Sequence, residues 1–422
     1  MIYLVKPPKN SICAEINLPA SKSISNRVLL LNALSGKKVR IENLSDCDDT
    51  RVMSAGLENL PEIIDVGAAG TSMRFLTAYL AQLDGQIHVL TGSERMKQRP
   101  IGVLVDALRE LGADIEYMEK SGFPPLKIRG RKLKCTESLS IDGSVSSQFI
   151  SALLMIGPML ETGLKIELEH EIASRSYINM TVSLMRQFGA EVAWHGSSSI
   201  RVSPVPYHPA FTEYKVEPDW SAAAFWFEIA VVGREMGYTS RISLPDLKTN
   251  SVQGDCVVDK LFENLFDCSL EEMQDLSLMR LLDQSSTFDL EFTDFPDLAQ
   301  ALVVTHCLVD KPFLFTGLES LHIKETDRIQ ALKTELAKLG IALRGGEGKD
   351  EQGTLMWQRG FCKKKFRPVI QTYKDHRMAM AFAPCCLCLG EIRIADPGVV
   401  SKSYPGFWDD LKKAGFTIEE IA

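Results

Sequence analysis

Read for alternation of apolar and polar positions, the chain repeats one phrase: an amphipathic run that closes on glycine, then a β-like segment. The phrase stands at 107-ALRELGADI-115, 184-LMRQFGAEV-192, 335-ELAKLGIAL-343 and 410-DLKKAGFTI-418, with degenerate copies at 57-LENLPEII-64 and 261-LFENLFDC-268. In 329-IQALKTELAKLG-340, Ile329, Leu332, Leu336 and Leu339 fall at helical spacing, and Gly340 suits the position just past a helix end. With Pro61, Gly112, Gly189, Phe266, Gly340 and Gly415 as markers, the intervals are 51, 77, 77, 74 and 75 residues. Chance apolar patterning does not give that regularity, so the chain is read as a repeat.

A second kind of helix alternates with the first, each copy opening on small or polar residues. These copies begin near Ser21, Gly70, Ser146, Asp219, Asp297 and His376. Short β-rich pieces lie between helices, among them 86-QIHVL-90, 164-LKIELEH-170, 199-SIRVS-203 and 391-EIRIA-395. The pattern predicts six α/β units, each with two helices and several strands. The first interval is about 26 residues short, which predicts a missing hairpin in the first unit. Repeated units bury faces against each other, which favours domains of three copies apiece. The acidic, Leu-rich stretch 267–294 fits no unit and is left unassigned.

Composition narrows the function classes. The 422 residues allow two or three domains with a sizeable core, and 45% hydrophobic with 24% charged residues is ordinary globular composition. A net charge of -8 argues against nucleic-acid or anionic-membrane partners, so an anion site must be a local concentration of cations. The N-terminal MIYLVKPPKNSI is too short and too broken by proline for a signal peptide, and 378-MAMAFAPCCLCLG-390 is too short to span a bilayer. Cytoplasm is the default. The ten cysteines, of which Cys385 and Cys388 alone are spaced as C-x-x-C and have no clustered histidine, read as reduced thiols, with Cys385, Cys386 and Cys388 on a buried helix face.

Candidate chemistry collects at the helix starts. In 18-LPASKSISNR-27, a proline and three hydroxyl residues precede an apolar run, with Lys22 and Arg27 where free N–H groups already favour anions. Comparable junctions carry Arg95, Ser146, Ser147, Gln148, Ser174 and Tyr177 in the first half. The second half adds Asp297, Lys324, Glu325, Arg328, Asp375, His376, Arg377 and Lys402. Lys324 and Arg328 are four apart, which predicts one helix face offering two cations with the Glu325 carboxylate beside them. Each junction alone reads equally as a capped, solvated helix start. Their recurrence from unit to unit is what points to a shared anionic ligand.

Nine ordered motifs then carry a resemblance: LPASKSISNR, GAAGTSMR, ERMKQRPIG, DGSVSSQFISALLM, SRSYINMT, FPDLAQA, IKETDRI, YKDHRMAMAFA and DPGVVSKSYPGFW. In this order they resemble the 5-enolpyruvylshikimate-3-phosphate synthase family over nearly the whole chain. The resemblance implies a two-domain inside-out α/β barrel, each domain three βαβαββ-type repeats, with the active site in the interdomain cleft. Residues 1–20 plus 218–422 would form the domain bearing the KETDR and DHR motifs, and 21–217 the domain bearing SKSISNR, AGTSMR and SSQ. The implied reaction moves the enolpyruvyl group of phosphoenolpyruvate to the 5-hydroxyl of shikimate 3-phosphate and releases phosphate. No metal or organic cofactor is implied, and a monomer is the family expectation.

Carried over by position, the resemblance implies that Lys22, Ser23, Arg27, Ser146, Ser147, Gln148, Ser174, Asp297, Ser320 and Lys324 contact shikimate 3-phosphate. It implies that Lys22, Gly70, Arg95, Gln148, Arg328, Arg377 and Lys402 contact phosphoenolpyruvate. Asp297 is the expected base for the hydroxyl, Glu325 with Lys22 the expected acid for the methylene carbon, and His376 a polarising or relaying group. Four departures stand out: Ala68 where the family has Asn, Phe75 where it has Pro, Ser320 and His322 where it has Asn and Arg, and Pro218 with Trp220 inside the usual E-G-D-x-S. Rival readings are an enolpyruvyl transferase acting on UDP-N-acetylglucosamine, a binding scaffold without activity, and a phosphoryl transferase. The last would usually carry a G-x-x-x-x-G-K-[S/T] loop, which the sequence lacks.

Overall fold

The computed structural model describes residues 1–36, 38–274, 287–346 and 351–421. Its contacts divide the chain into two units. The central unit is Ala20–Glu217 with Val252–Gly254, and the terminal unit is Met1–Pro19, Pro218–Ser251 and Asp255–Ala422. Relative to the expected boundaries, Ala20 and Val252–Gly254 lie in the central unit. Of the unassigned stretch 267–294, residues 275–286 lie outside the described residues.

The central unit carries six helices: α1 Lys22–Leu34, α2 Asp48–Asn59, α3 Gly70–Ala81, α4 Gly102–Glu110, α5 Ser147–Ile156 and α6 Arg175–Gln187. Its strand Ile63–Asp65 runs parallel to Ile87–Thr91, which pairs antiparallel with Leu126–Arg129, which in turn takes Asp114–Tyr117 antiparallel. Strands Leu139–Asp142, Leu164–Glu169, Ser199–Val202 and Val192–His195 repeat that order. The third sheet is only the parallel pair Glu213–Lys215 and Arg40–Glu42, so the first repeat lacks its hairpin. The short first interval reflects this loss.

The terminal unit carries α7 Trp220–Glu235, α8 Val257–Phe266, α9 Ala299–Leu308, α10 Arg328–Lys338, α11 His376–Phe382, α12 Cys386–Leu389 and α13 Phe407–Lys413. Phe288–Glu291, Phe313–Thr316, Leu355–Trp357 and Arg344–Gly345 form a sheet of the same order. The last sheet runs Val369–Ile370, Ile392–Ala395, Ile2–Lys6, Thr417–Ile421, so the first strand of the chain closes the last repeat. The remaining pair, Ser11–Glu15 with Thr239–Ser243, is also two-stranded among the described residues. The fourth repeat is thus short as well, a feature that the full-length interval following it does not reveal.

Helix burial follows composition. Every residue of α3 is buried, and fourteen of the sixteen in α7, because small and apolar residues dominate both and the polar ones of α3 find internal partners, as Ser72, Arg74 and Thr77 do. In the central unit α3 packs on α1 and α5, and in the terminal unit α7, α9 and α11 pack on one another. Strands cover these helices with an alternating face, as in Leu164–Glu169, where Leu164, Ile166 and Leu168 are buried. Cys385 and Cys386 are fully buried in the terminal core.

One core residue breaks the apolar rule. Glu228, midway along α7, is fully buried, and neither carboxyl oxygen has a hydrogen-bond partner. Burial pushes its proton affinity well above the ordinary carboxylate range, so the folded chain keeps it neutral. The unfolded chain releases that proton above pH ~4.3 while the folded chain retains it, so this group's cost to stability grows as pH rises. The expected outcome is that Glu228→Gln gains more melting temperature over wild type at pH 8 than at pH 5. A gain equal at both pH values, read from parallel thermal melts, refutes this account.

Candidate active site

The terminal unit brings together most of the second-half candidates. The Arg328 guanidinium is nearly inaccessible and meets three carboxylates. Its Nε donates to Asp375 Oδ2 at 2.7 Å, Nη1 to Asp297 Oδ1 at 3.0 Å and Nη2 to Glu325 Oε2 at 2.9 Å. Glu325 takes a second cation through Oε1, 2.8 Å from Lys402 Nζ. Asp297 takes two more, with Arg377 Nη2 at 3.1 Å and Lys324 Nζ at 3.6 Å. Arg377 also donates from Nη1 to the Asp297 carbonyl at 2.8 Å. Asp375 doubles as the cap of α11, accepting the Arg377 backbone N–H at 2.9 Å. His376 is buried next to it, with Nδ1 3.7 Å from Asp375 Oδ1.

Local sequence explains the placement, with one correction. Lys324 and Arg328 do not share a helix face. Asp327 caps the helix by accepting the Gln330 N–H at 3.0 Å, so α10 starts at Arg328 and leaves Lys324 and Glu325 in the segment before it. Lys324 is extended there, at the end of the 3-10 turn Glu319–Ile323 that contains Ser320. The two cations still converge, because both reach Asp297 Oδ1. His322 stands where an arginine was expected and is tied down locally, to Asp327 Oδ2 at 2.8 Å and the Gln352 carbonyl at 2.7 Å.

Electrostatics sort these groups. Burial favours the neutral form of Asp297, but Arg377, Lys324 and Arg328 outweigh it and hold the carboxyl well below its usual range. For Arg328, burial opposes the charge while Asp375, Glu325 and Asp297 more than restore it. Nearby, Asp255 accepts a hydrogen bond from Ser221 Oγ, and burial with the Asp297 charge pushes its carboxyl up to about 6. The candidate set left out Asp255, which lies in no quoted motif, and Ser221, which ends the E-P-D-W-S stretch but was given no role.

The central unit gathers the first-half candidates around the starts of its helices. Ser21 caps α1 by accepting from Ile24 N, and Ser146 caps α5 by accepting from Gln148 N, each at 3.4 Å. Lys22, at the first position of α1, lies 3.6 Å from Asp49 Oδ2. Arg27 is turned inward: Nε donates to Thr181 Oγ1 at 2.7 Å, Nη1 to the Ser23 carbonyl at 2.9 Å, and Nη2 to Ser151 Oγ and the Tyr177 carbonyl at 3.4 Å each. These are all neutral acceptors, and burial brings its pKa down to about 10. Phe75 packs its ring 5.4 Å from the same guanidinium. Gln148 Nε2 donates to Thr71 Oγ1 at 3.2 Å, which joins the start of α5 to that of α3. Ser147 is buried, Arg95 is exposed, and Ser174 precedes α6 in a left-handed conformation at φ 55°. Asp49 and Thr71 were not anticipated, although Thr71 directly follows Gly70.

With three carboxylates among four cations in one unit and a Lys–Arg–hydroxyl set in the other, the residues suit small polyanionic ligands and proton transfer. Comparisons with known proteins agree. The profile of EPSP synthase (3-phosphoshikimate 1-carboxyvinyltransferase) matches residues 6–64 and 59–411. A 3-phosphoshikimate 1-carboxyvinyltransferase of Bacteroides fragilis is 51% identical over 419 residues, covering 99% of each chain. One from Vibrio atlanticus is 36% identical, covering 98% of this chain and 99% of its own. An EPSP synthase structure from Acinetobacter baumannii superposes with a TM-score of 0.74 at 20% identity over the whole of both chains, which speaks to the fold alone. The sequence match over nearly the full length decides the matter: the chain belongs to the EPSP synthase family.

Proposed function

We propose that this protein is a 3-phosphoshikimate 1-carboxyvinyltransferase, moving the enolpyruvyl group of phosphoenolpyruvate to the 5-hydroxyl of shikimate 3-phosphate with release of phosphate. The reaction belongs to the shikimate pathway toward aromatic amino acids. The observation that carries the reading is the Asp297–Glu325–Asp375 set held by Arg328, Arg377, Lys324 and Lys402, on a chain 51% identical to a curated enzyme of this name.

In this reading Lys22, Ser23, Ser146, Ser147, Gln148, Ser174, Ser320 and Lys324 hold shikimate 3-phosphate. Arg27, engaged inside the unit, sets the position of Ser23 and adds its charge. Lys22, Gly70, Arg95, Gln148, Arg328, Arg377 and Lys402 hold phosphoenolpyruvate. Asp297 takes the hydroxyl proton as the hydroxyl oxygen bonds to the central carbon of phosphoenolpyruvate, while Glu325 protonates the methylene carbon to a methyl. In elimination a methyl proton returns to Glu325, the carbon–oxygen bond to phosphate breaks, and the proton on Asp297 leaves with phosphate. His376, beside Asp375, acts as a relay. No cofactor enters this balance.

Glu325 poses a physical difficulty, because a carboxylate between two cations is a poor acid. Substrate anions resolve it. As they engage Lys402 and Arg328, Glu325 loses part of its pairing and gains negative neighbours, and both effects raise its proton affinity. We place the enzyme in the cytoplasm, where ten free thiols persist, and take a single chain as the working form. Among the described residues no helix is long and apolar enough to cross a membrane, and the acidic balance argues against nucleic acid as a partner.

Phosphate release assayed with both substrates, and with each alone, tests the reading. Release only with both is expected. Absence of release with both, or release with UDP-N-acetylglucosamine as acceptor instead, overturns it. Glu325→Gln is expected to lower turnover by roughly 10²-fold or more, the scale of general acid–base catalysis, with both substrates still bound. Turnover within a few-fold of wild type removes Glu325 from the role.

A further inference from the structure

The chain enters α11 through a strained turn. Tyr373 and Lys374, the two residues before Asp375, stand one after the other in the left-handed region, at φ 53° and 58°. The Asp375 N–H donates to the Thr372 carbonyl at 2.8 Å, which closes 372–375 as a turn with both central φ values positive. Glycine, asparagine and aspartate fill such positions at low cost, whereas a tyrosine followed by a lysine is strained there. Backbone of this kind persists only where its surroundings hold it, and it is concentrated at active sites and ligand clamps.

The hold comes from α10. Glu335 is fully buried, seven residues and so about two turns after Arg328, on the same helix face. Its Oε1 accepts from the Tyr373 hydroxyl at 2.6 Å. Its Oε2 accepts from the Gln371 N–H at 3.0 Å and from Lys338 Nζ at 2.5 Å. Lys338 also donates to the Val369 carbonyl at 2.9 Å, in the strand that leads into the turn. One helix thus grips the segment on both sides of the turn's end, through Glu335 at Gln371 and Tyr373 and through Arg328 at Asp375.

Other holds on the turn are weak. Thr372 is buried, yet its Oγ1 meets no hydrogen-bond partner. The Tyr373 side chain is 37% exposed, so its hydroxyl fixes it more than packing does. Desolvation of that hydroxyl first, and Glu335 second, raise its pKa, so at neutral pH it stays a donor. Beyond the turn, Asp375 meets Arg328, and Arg377 meets Asp297. A turn that relaxed to ordinary φ values would swing both residues off these partners.

We propose that Glu335 and Tyr373 are positioning residues for phosphoenolpyruvate binding, whose hydrogen bond holds the left-handed pair Tyr373–Lys374 so that Arg328 and Arg377 keep the spacing the anion needs. The proposal rests on the transferase reading and extends it to two residues outside the expected substrate sets. Both act through Asp375 and Arg377 and touch no substrate themselves.

Steady-state kinetics of the full chain, with each substrate varied in turn, provides the test. Tyr373→Phe keeps the ring and deletes only the hydroxyl. It is expected to raise the KM for phosphoenolpyruvate roughly 10-fold, the scale of one hydrogen bond to a charged group. The KM for shikimate 3-phosphate and the melting temperature should stay near wild type. Glycine adopts positive φ without strain, so adding Lys374→Gly to Tyr373→Phe is expected to recover part of the loss. An unchanged KM for phosphoenolpyruvate in Tyr373→Phe overturns the proposal. So does an equal rise in both KM values with a lower melting temperature, the signature of a structural contact. A double variant no better than the single one overturns it too, because the left-handed backbone is then not what the hydroxyl holds. Wild-type enzyme that makes no product with either acceptor sinks the transferase reading itself, and the proposal with it.

Discussion

Burying the charge of Arg328 is the constraint on which the terminal unit depends. A guanidinium out of water is tolerable only if carboxylates meet it, and here three do, each from a different part of the chain. Asp297 comes from the turn before α9, Glu325 from the segment before α10 and Asp375 from the cap of α11. Each of these carboxylates would be costly without its cations, so the starts of three helices, α9 and α10 of one repeat and α11 of the next, are locked in register by mutual need. The charged network therefore needs no separate scaffold, because its own ion pairs hold the elements that carry it.

The central unit solves the same problem differently. Arg27 is as deeply buried as Arg328 but receives only hydroxyl and carbonyl oxygens, so its charge is solvated and not cancelled. The two arginines shift in opposite directions for that reason, Arg27 downward by burial and Arg328 upward by its carboxylates. One unit thus keeps a buried cation among neutral acceptors. The other keeps a nearly balanced network, suited to exchanging its internal partners for those of a ligand.

The helices were largely legible in the sequence because they depend on local periodicity. Both helix types, their six-fold alternation and caps such as Ser21, Asp219 and Asp375 follow from 3.6-residue spacing and short polar residues at the starts. The charged set was legible as residue types at those starts. Its pairings were not, since Asp297 and Arg377 are eighty positions apart and only the packed core sets their distance. The Lys324–Arg328 geometry was misread because simple spacing assumes a continuous helix, and the Asp327 cap interrupts it. Asp49 and Asp255 lie in no quoted motif, as their environments come from neighbours distant in sequence, while Thr71 stands inside GAAGTSMR without a sign of its pairing to Gln148.

The strand Ile2–Lys6 sits between Ile392–Ala395 and Thr417–Ile421. During synthesis it leaves the ribosome roughly 390 residues ahead of both partners. At typical elongation rates that wait is roughly 20–80 s. For that interval a β-forming segment with two open edges is exposed, while residues 20–217 already have every strand they need. The terminal unit can complete its sheet only once Thr417–Ile421 has emerged, so until then that first segment must be kept from pairing elsewhere.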